Sequence, residues 1–152
     1  MATYAFQNIT ASLVGPGVAI DLGMGSSAAE EGISVTMSAP RNEKTMGADG
    51  NGMHSLKADK SGTVTVRLLE TSSRNALLQA AFNVQQNAPE YWGANVITIR
   101  NRGNNETTVC RGCAFQGQPE IKYGAVAGVK EWVFDCLKID TVTGVYPADV
   151  GE

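Results

Sequence analysis

The sequence predicts a mostly β fold: a two-sheet antiparallel sandwich or partly closed barrel with one α-helix. Three observations carry this. Several short stretches alternate apolar and polar residues, most cleanly at 33–37 and 63–69. Turns rich in glycine, proline and asparagine separate them at regular spacing. One stretch alone, 73–84, repeats apolar residues at helical intervals. The count is seven or eight strands and one helix.

Taken in order, residues 8–14 and 18–22 read as short strands around Gly15, Pro16 and Gly17, which supply turn dihedrals. Residues 23–30 are small and read as flexible. Ile33, Val35 and Met37 share one face of the next strand, with Ser34 and Thr36 opposite. The pattern then stops from Pro40 to Lys60, a glycine-rich excursion with glycines at 47, 50 and 52. Loops this long inside a compact fold are functional or disordered. Met46, Met53 and Leu56 favour an ordered loop, because a solvated linker has little use for them.

Alternation resumes with Val64, Val66 and Leu68. Thr71, Ser72 and Ser73 offer N-cap hydroxyls, and Leu77, Leu78, Ala81 and Phe82 make the helical stripe. Pro89 and Gly93 bracket a loop holding Tyr91 and Trp92. Strands follow at 96–100, 107–115, 120–123 (short) and 129–140, with turns at 102–105 and 124–128. The last strand has Trp132, Phe134 and Cys136 on one face and Val129, Val133 and Leu137 on the other. Apolar residues on both faces call for cover on both sides, from a helix or a neighbouring subunit. Trp132 reads as core, and Trp92 as core edge or subunit contact. The segment after Val142, with Gly144 and Pro147, has turn character.

At 152 residues the chain has the length of one domain, 1–152. Formal charge is 12 − 15 = −3, which argues against gripping nucleic acid through phosphates. A weakly acidic wall still lets DNA pass without adhesion. No apolar run approaches the ~20 residues of a membrane helix. The first residues lack a basic and apolar leader pattern, so synthesis and retention in the cytoplasm are expected. Charged residues are 18% of the chain, below the roughly 25% of ordinary domains. A chain short of charge covers itself with neighbours or is simply rich in glycine and serine.

Catalytic and metal motifs are weak. Cys110 and Cys113 have redox or half-zinc spacing, with Cys136 far downstream and His54 the only histidine. No second pair completes a site, and buried thiols in a β pattern are the favoured reading. Asp49 to Asn51 begins like a calcium loop, but Met53 stands where a ligand belongs and Lys60 where the terminal acid should be. No nucleophile elbow accompanies His54, and Gly15–Gly17 lacks the lysine of a phosphate loop. No catalytic residue, cofactor or metal is expected.

The run Gly47, Ala48, Asp49, Gly50, Asn51, Gly52, Met53, His54, Ser55, Leu56, followed by residues 62–69, resembles the small tail tube proteins of phages with contractile tails. The likeness extends to Gly15-Pro16-Gly17, Glu31-Gly32-Ile33, Trp92-Gly93-Ala94-Asn95, Ala114-Phe115 and Glu131-Trp132-Val133-Phe134. Cys110, Cys113 and the 38–45 connection stand outside that pattern. The resemblance implies a β-sandwich forming hexameric rings, stacked into a hollow tube for DNA. It implies an assembly loop at about 40–60 that reaches a neighbour in the same or the adjacent ring. Implied partners are further copies of the chain, with tail sheath, baseplate and tail terminator proteins beside them. DNA passes without specific binding, and no membrane is involved. The implied place is the phage tail, reached from the host cytoplasm. The expected interface residues are Glu31, Arg41, Met46, Asp49, Met53, His54, Arg67 and Trp92. The rival readings are a tube of a secretion or bacteriocin machine, a Cys/His metal-binding or enzymatic β domain, and a sugar-binding sandwich displaying Tyr91 and Trp92.

Overall fold

The structure, a computed structural model, describes residues 4–5, 8–16, 18–22, 28–126 and 128–145, without the side chains of Val18 and residues 28–31. The expectations for Gly17, residues 23–27 and Pro147 lie outside the described residues.

The mostly β expectation with one helix holds. Among the described residues, nine strands and one α-helix follow in the order β1 (Ile9–Gly15), β2 (Val18–Asp21), β3 (Ala28–Met37), β4 (Asn42–Met46), β5 (Gly52–Leu56), β6 (Gly62–Leu69), α1 (Arg74–Gln86), β7 (Asn95–Asn101), β8 (Glu106–Phe115) and β9 (Val129–Val142). They make two antiparallel sheets of very unequal size. The large one has the order β2-β1-β7-β8-β9-β6-β3; the small one is β4-β5 alone. The large sheet is not closed. Ile9, Ile33, Val35, Ile99 and Thr108 nevertheless line one cleft of about 320 Å³. The β3 margin therefore curls back toward β1 and β7, five and four strands away in the sheet order.

Three sequence expectations are corrected. The stretch 40–60 is a β-hairpin rather than a loop. Its strands were hidden because Asn42, Glu43, Lys44 and Thr45 have no apolar period. Residues 120–123 form no strand; their side chains are all exposed. In α1, Leu77 faces out, and the buried residues are Asn75, Leu78, Ala81 and Gln85. Of the three hydroxyls offered as caps, Ser72 Oγ accepts the Arg74 N–H at 3.3 Å.

One core joins the sheet and the helix. Leu13, Ile20, Val64, Val66, Leu68, Leu78, Ile97, Phe115, Trp132 and Phe134 all belong to it. Phe115 sits at its centre, tilted against Phe134 at 4.8 Å and edge-on to Phe82 at 5.5 Å and Trp132 at 5.9 Å. Such ring geometries add to the area buried.

Two buried amides fasten α1 to the sheet. Near its start, Asn75 Nδ2 donates to the Leu69 carbonyl at 2.8 Å, and its Oδ1 accepts the Trp132 indole N–H at 3.1 Å. Near its end, Gln85 and Asn95 exchange a reciprocal pair of bonds, 2.9 and 2.8 Å, with both side chains fully buried. Gly15 lies against this pair: a methyl there would overlap the Asn95 carboxamide oxygen.

A bulge explains the Cys-x-x-Cys spacing. In a regular strand, residues three apart face opposite sides. Cys110 and Cys113 are both buried because β8 gains one residue against β7, pairing Ile97 with Cys110 but Asn95 with Cys113. Gly112 takes φ +63° there, and an added methyl would press on Leu137 at 3.0 Å. β9 changes phase in step, burying Cys136 and Ile139.

Replacing Asn95 by Ala strands the Gln85 amide in the core. The expected loss is about 2–3 kcal/mol in urea unfolding, with most of it recovered when Gln85→Met is added.

Candidate functional site

The feature with no internal purpose is the β4–β5 hairpin. It continues the β3–β6 ribbon after that ladder ends at Met37 and Gly62. Its register pairs Asn42 with Leu56, Lys44 with His54, Thr45 with Met53, and Met46 with Gly52. Every residue from 42 to 56 is exposed. A lone two-stranded hairpin is at best marginally stable in water. Yet this one carries Met46 (56% exposed), Met53 (61%) and Leu56 (81%). By the register, Met46 and Leu56 lie on one face and Met53 on the other. Apolar side chains on both faces suit insertion between surfaces better than lying along one.

The hairpin is shaped locally at its tip and base. At the tip, Gly47 N–H donates to Asn51 O at 2.6 Å, and Asp49 accepts from the Asn51 backbone N–H at 3.1 Å and side-chain amide at 2.9 Å. Those two bonds hold the Asp49 carboxyl below its usual range, the backbone bond first. At the base, Arg41 Nε donates to Lys57 O at 2.8 Å, and Lys57 N–H to Arg41 O at 2.8 Å. Glu43 and Lys57 add an exposed ion pair at 3.4 Å. His54 Nδ1 meets Asn42 Nδ2 at 3.1 Å.

Beyond the base, the chain is tied to the end of β9. Ile139 N–H donates to Lys60 O at 2.9 Å, and Lys60 Nζ to Asp140 at 3.1 Å. Arg111 approaches the same carboxylate at 3.6 Å. The Lys60 bond is the main reason the Asp140 carboxyl lies below its usual range. The arm thus springs from the sheet rather than from a slack linker.

The sheet adds two open margins. β2 and β3 each pair on one side only among the described residues, leaving edge backbone groups facing outward. The β8–β9 connection adds exposed apolar groups, Ile121, Val126 and Tyr123, the last 90% exposed. These sequence reasoning missed, because the alternation of Glu120, Ile121, Lys122 and Tyr123 reads as an ordinary strand.

Arg41, Met46, Asp49, Met53 and His54 thus come together on the arm. Glu31 lies in β3, at the margin, with its side chain outside the described ones. Arg67, on β6, is engaged within the chain, donating to Ser34 Oγ at 3.0 Å and pairing with Glu131 at 3.5 Å. Trp92 is apart from the arm, half packed edge-on against Phe82 at 6.2 Å and 41% exposed. The Cys/His reading loses its geometry: His54 is on the exposed arm, and the three cysteines are buried in the sheet. No group of three or more His, Cys, Asp or Glu side chains among the described residues is placed to hold a metal. No helix among them is long and apolar enough to cross a membrane.

The profile of the Bacteriophage PhiTE tail tube protein family matches residues 1–144. The chain belongs to that phage tail tube family. Its work is therefore structural, as part of a tail particle, and the resemblance read from the sequence is borne out. No curated protein matches the sequence. Solved structures share the fold at low identity. A chain of the sheath-tube complex of an extracellular contractile injection system (PVC) in its extended state is 14% identical. Its TM-score is 0.55, over 90% of this chain and 88% of that one. A chain of the sheath/tube terminator of the same kind of system is 13% identical at TM-score 0.58, over 93% and 98%. The tube-terminating cap of the anti-feeding prophage is 10% identical at TM-score 0.56, over 95% of each chain.

Asp140 supplies a pH test of the arm's anchorage. Its carboxyl is depressed in the fold, so its contribution is complete above the ordinary carboxylate range and fades as pH falls through the folded value. Asp140→Asn should lower the thermal midpoint at neutral pH, and the gap to the unaltered chain should close under acid conditions. A gap independent of pH would mean the carboxylate is not what matters.

Proposed function

We propose that this tail tube chain closes into rings, hexameric as the family resemblance implies, which stack into a hollow cylinder for DNA. The observation that carries the reading is the arm: a hairpin with apolar side chains on both faces and no cover from its own chain. Two kinds of surface serve two kinds of contact. The margins at β2 and β3 lie at opposite ends of one sheet order, so their pairing between copies is heterologous and generates a ring when the rotation closes. The arm, extending the β3–β6 ribbon past the sheet, reaches a neighbour in the same or the adjacent ring and joins the contacts into a stiff cylinder. Repeated weak contacts along a stack add in effect, because each bound copy holds the next at high local concentration.

In this reading Met46, Met53 and Leu56 are the anchors, with Asp49 and Asn51 shaping the tip that presents them. Arg41 fixes the angle of the base, and His54 and Trp92 lie at contact surfaces. Glu31 belongs to the pairing margin. Arg67 serves through its bonds inside the chain. Sheath, baseplate and terminator proteins would meet the assembled cylinder. The subunits wait in the host cytoplasm until assembly. DNA passes without specific binding, which suits the net charge of −3. Cations on the outward face of the sheet are also matched by acids, as in Arg67–Glu131 and Arg111–Asp140. The same architecture serves an injection-system tube, and the fold shared with such tubes and their terminators keeps that second reading open.

Removing residues 44–51 should leave a folded chain that elutes as a small species and forms no rings or tubes by negative-stain microscopy. Normal tubes from this deletion would refute the arm's role. The milder Met46→Glu with Met53→Glu should act the same way while leaving the far-ultraviolet circular dichroism unchanged.

A further inference from the structure

We propose that Cys113 and Cys136 form a reversible disulfide across β8 and β9, a modification site independent of the assembly reading. The two residues are register partners on central strands. Both point into the core, at 0% and 2% exposure. Their sulfurs already touch, with Sγ–Sγ 2.9 Å in the thiol form.

The backbone pattern suits the bond. Gln116 donates its N–H to Val133 O at 2.9 Å, which makes these two a hydrogen-bonded pair. Counting along the ladder, Phe115 with Phe134 is a non-hydrogen-bonded pair, Ala114 with Asp135 is hydrogen-bonded, and Cys113 with Cys136 is again non-hydrogen-bonded. In such pairs the Cα atoms stand about 4.5 Å apart, within the roughly 4.4–6.8 Å that a disulfide spans. Bonding needs the sulfurs only about 0.9 Å closer. The Gly112 bulge also turns Cys110 inward, and Cys113 Sγ donates to the Cys110 carbonyl at 3.3 Å. Cys110 is paired with Ile139 across the ladder, although its thiol also interacts with that of Cys136. Register therefore selects Cys113 from the two candidates.

The reaction takes a small peroxide as oxidant. The Cys113 thiolate attacks one oxygen of hydrogen peroxide and breaks the O–O bond. This gives the Cys113 sulfenic acid and hydroxide, which takes the proton the thiol lost and becomes water. The Cys136 sulfur then attacks the Cys113 sulfur, forming the S–S bond and releasing a second water. Two thiols are oxidised, and one peroxide is reduced to two waters. Hydrogen peroxide is close to water in size, so a transient local opening of the fold is enough to admit it. The new bond staples the base of the β8–β9 connection, which carries exposed Ile121 and Tyr123.

The test uses the full chain and hydrogen peroxide. After treatment in the folded state, the protein is unfolded in urea with an alkylating agent. Trypsin cuts after Arg111, Lys122, Lys130 and Lys138, so the three cysteines fall on three separate peptides. The expected result is one alkylated thiol, Cys110, and a Cys113–Cys136 linked pair that a reductant separates. The oxidised chain should melt roughly 5–10 °C higher, reversibly. Cys110→Ser should keep the link, and Cys136→Ser should abolish it. Three alkylated thiols, a link to Cys110, or oxygen adducts without a link would each overturn the proposal. The peptide map of the unaltered chain decides even if a variant fails to fold.

Discussion

The fold hangs on how its one helix is held. α1 carries Gln85 and Asn75 on the side that faces the sheet, where an ordinary amphipathic helix would carry leucines. Leu78 and Ala81, with half-buried Phe82 beside them, supply a narrow apolar stripe. Apolar burial is indifferent to small rotations and slides, because it has no direction. The amides are not indifferent. Asn75 meets Trp132 and the Leu69 carbonyl only in one setting of the helix start, and Gln85 meets Asn95 only in one setting of its end. Any slide of α1 leaves buried amides unbonded, which costs more than the bonds themselves contribute. Two polar clips thus convert a weak stripe into a unique docking.

That docking propagates. Asn75 bonds the last residues of β6, and Trp132 lies on β9, which pairs directly with β6. β6 and β3 together lead into the arm. A helix clamped at both ends therefore stiffens the root from which the hairpin springs. The hairpin itself has no core, so its direction is inherited from its base: the Arg41–Lys57 bonds and the Lys60–Asp140 tie. Stiffness at the root matters for assembly, because each degree of freedom that survives in the free chain must be surrendered on binding. The tip follows the same logic, with Asp49 and Asn51 fixing the turn before any partner arrives.

The sequence exposed what is periodic and hid what is relational. β6 and β9 were legible because their apolar residues alternate over a long run. The single helix was legible in place but not in orientation: Leu77 looked inward, and nothing pointed to Gln85. Nothing local marks a glutamine as buried; its partner Asn95 is ten residues on, in another element. The arm was legible as an apolar-anchored excursion and illegible as strands, because a hairpin buried by no residue of its own chain has no reason to alternate. The same holds for site residues. Met46 and Met53 stood out by chemistry. Arg67 stood out as a charge, but its intrachain partner Glu131 is fixed by the β6–β9 register, which no spacing reveals. The Cys-x-x-Cys motif misled in the opposite way. Its spacing suggested chemistry, and Gly112 between the cysteines was the clue that a bulge, not a ligand, turns both inward.

An arm with apolar groups on both faces poses a problem before assembly, since exposed strands invite indiscriminate pairing. The chain blunts this locally. Glu43, Lys44, His54 and Lys57 flank the apolar anchors, and Glu43 and Lys57 neutralise each other without being buried. The apolar groups are also split between faces, so neither face alone offers a continuous patch. A partner that covers only one face leaves the other exposed and binds weakly. A cleft between two copies covers both at once. In the proposed assembly, selectivity would then follow from geometry, because such a cleft would exist only where two correctly placed neighbours already stand side by side.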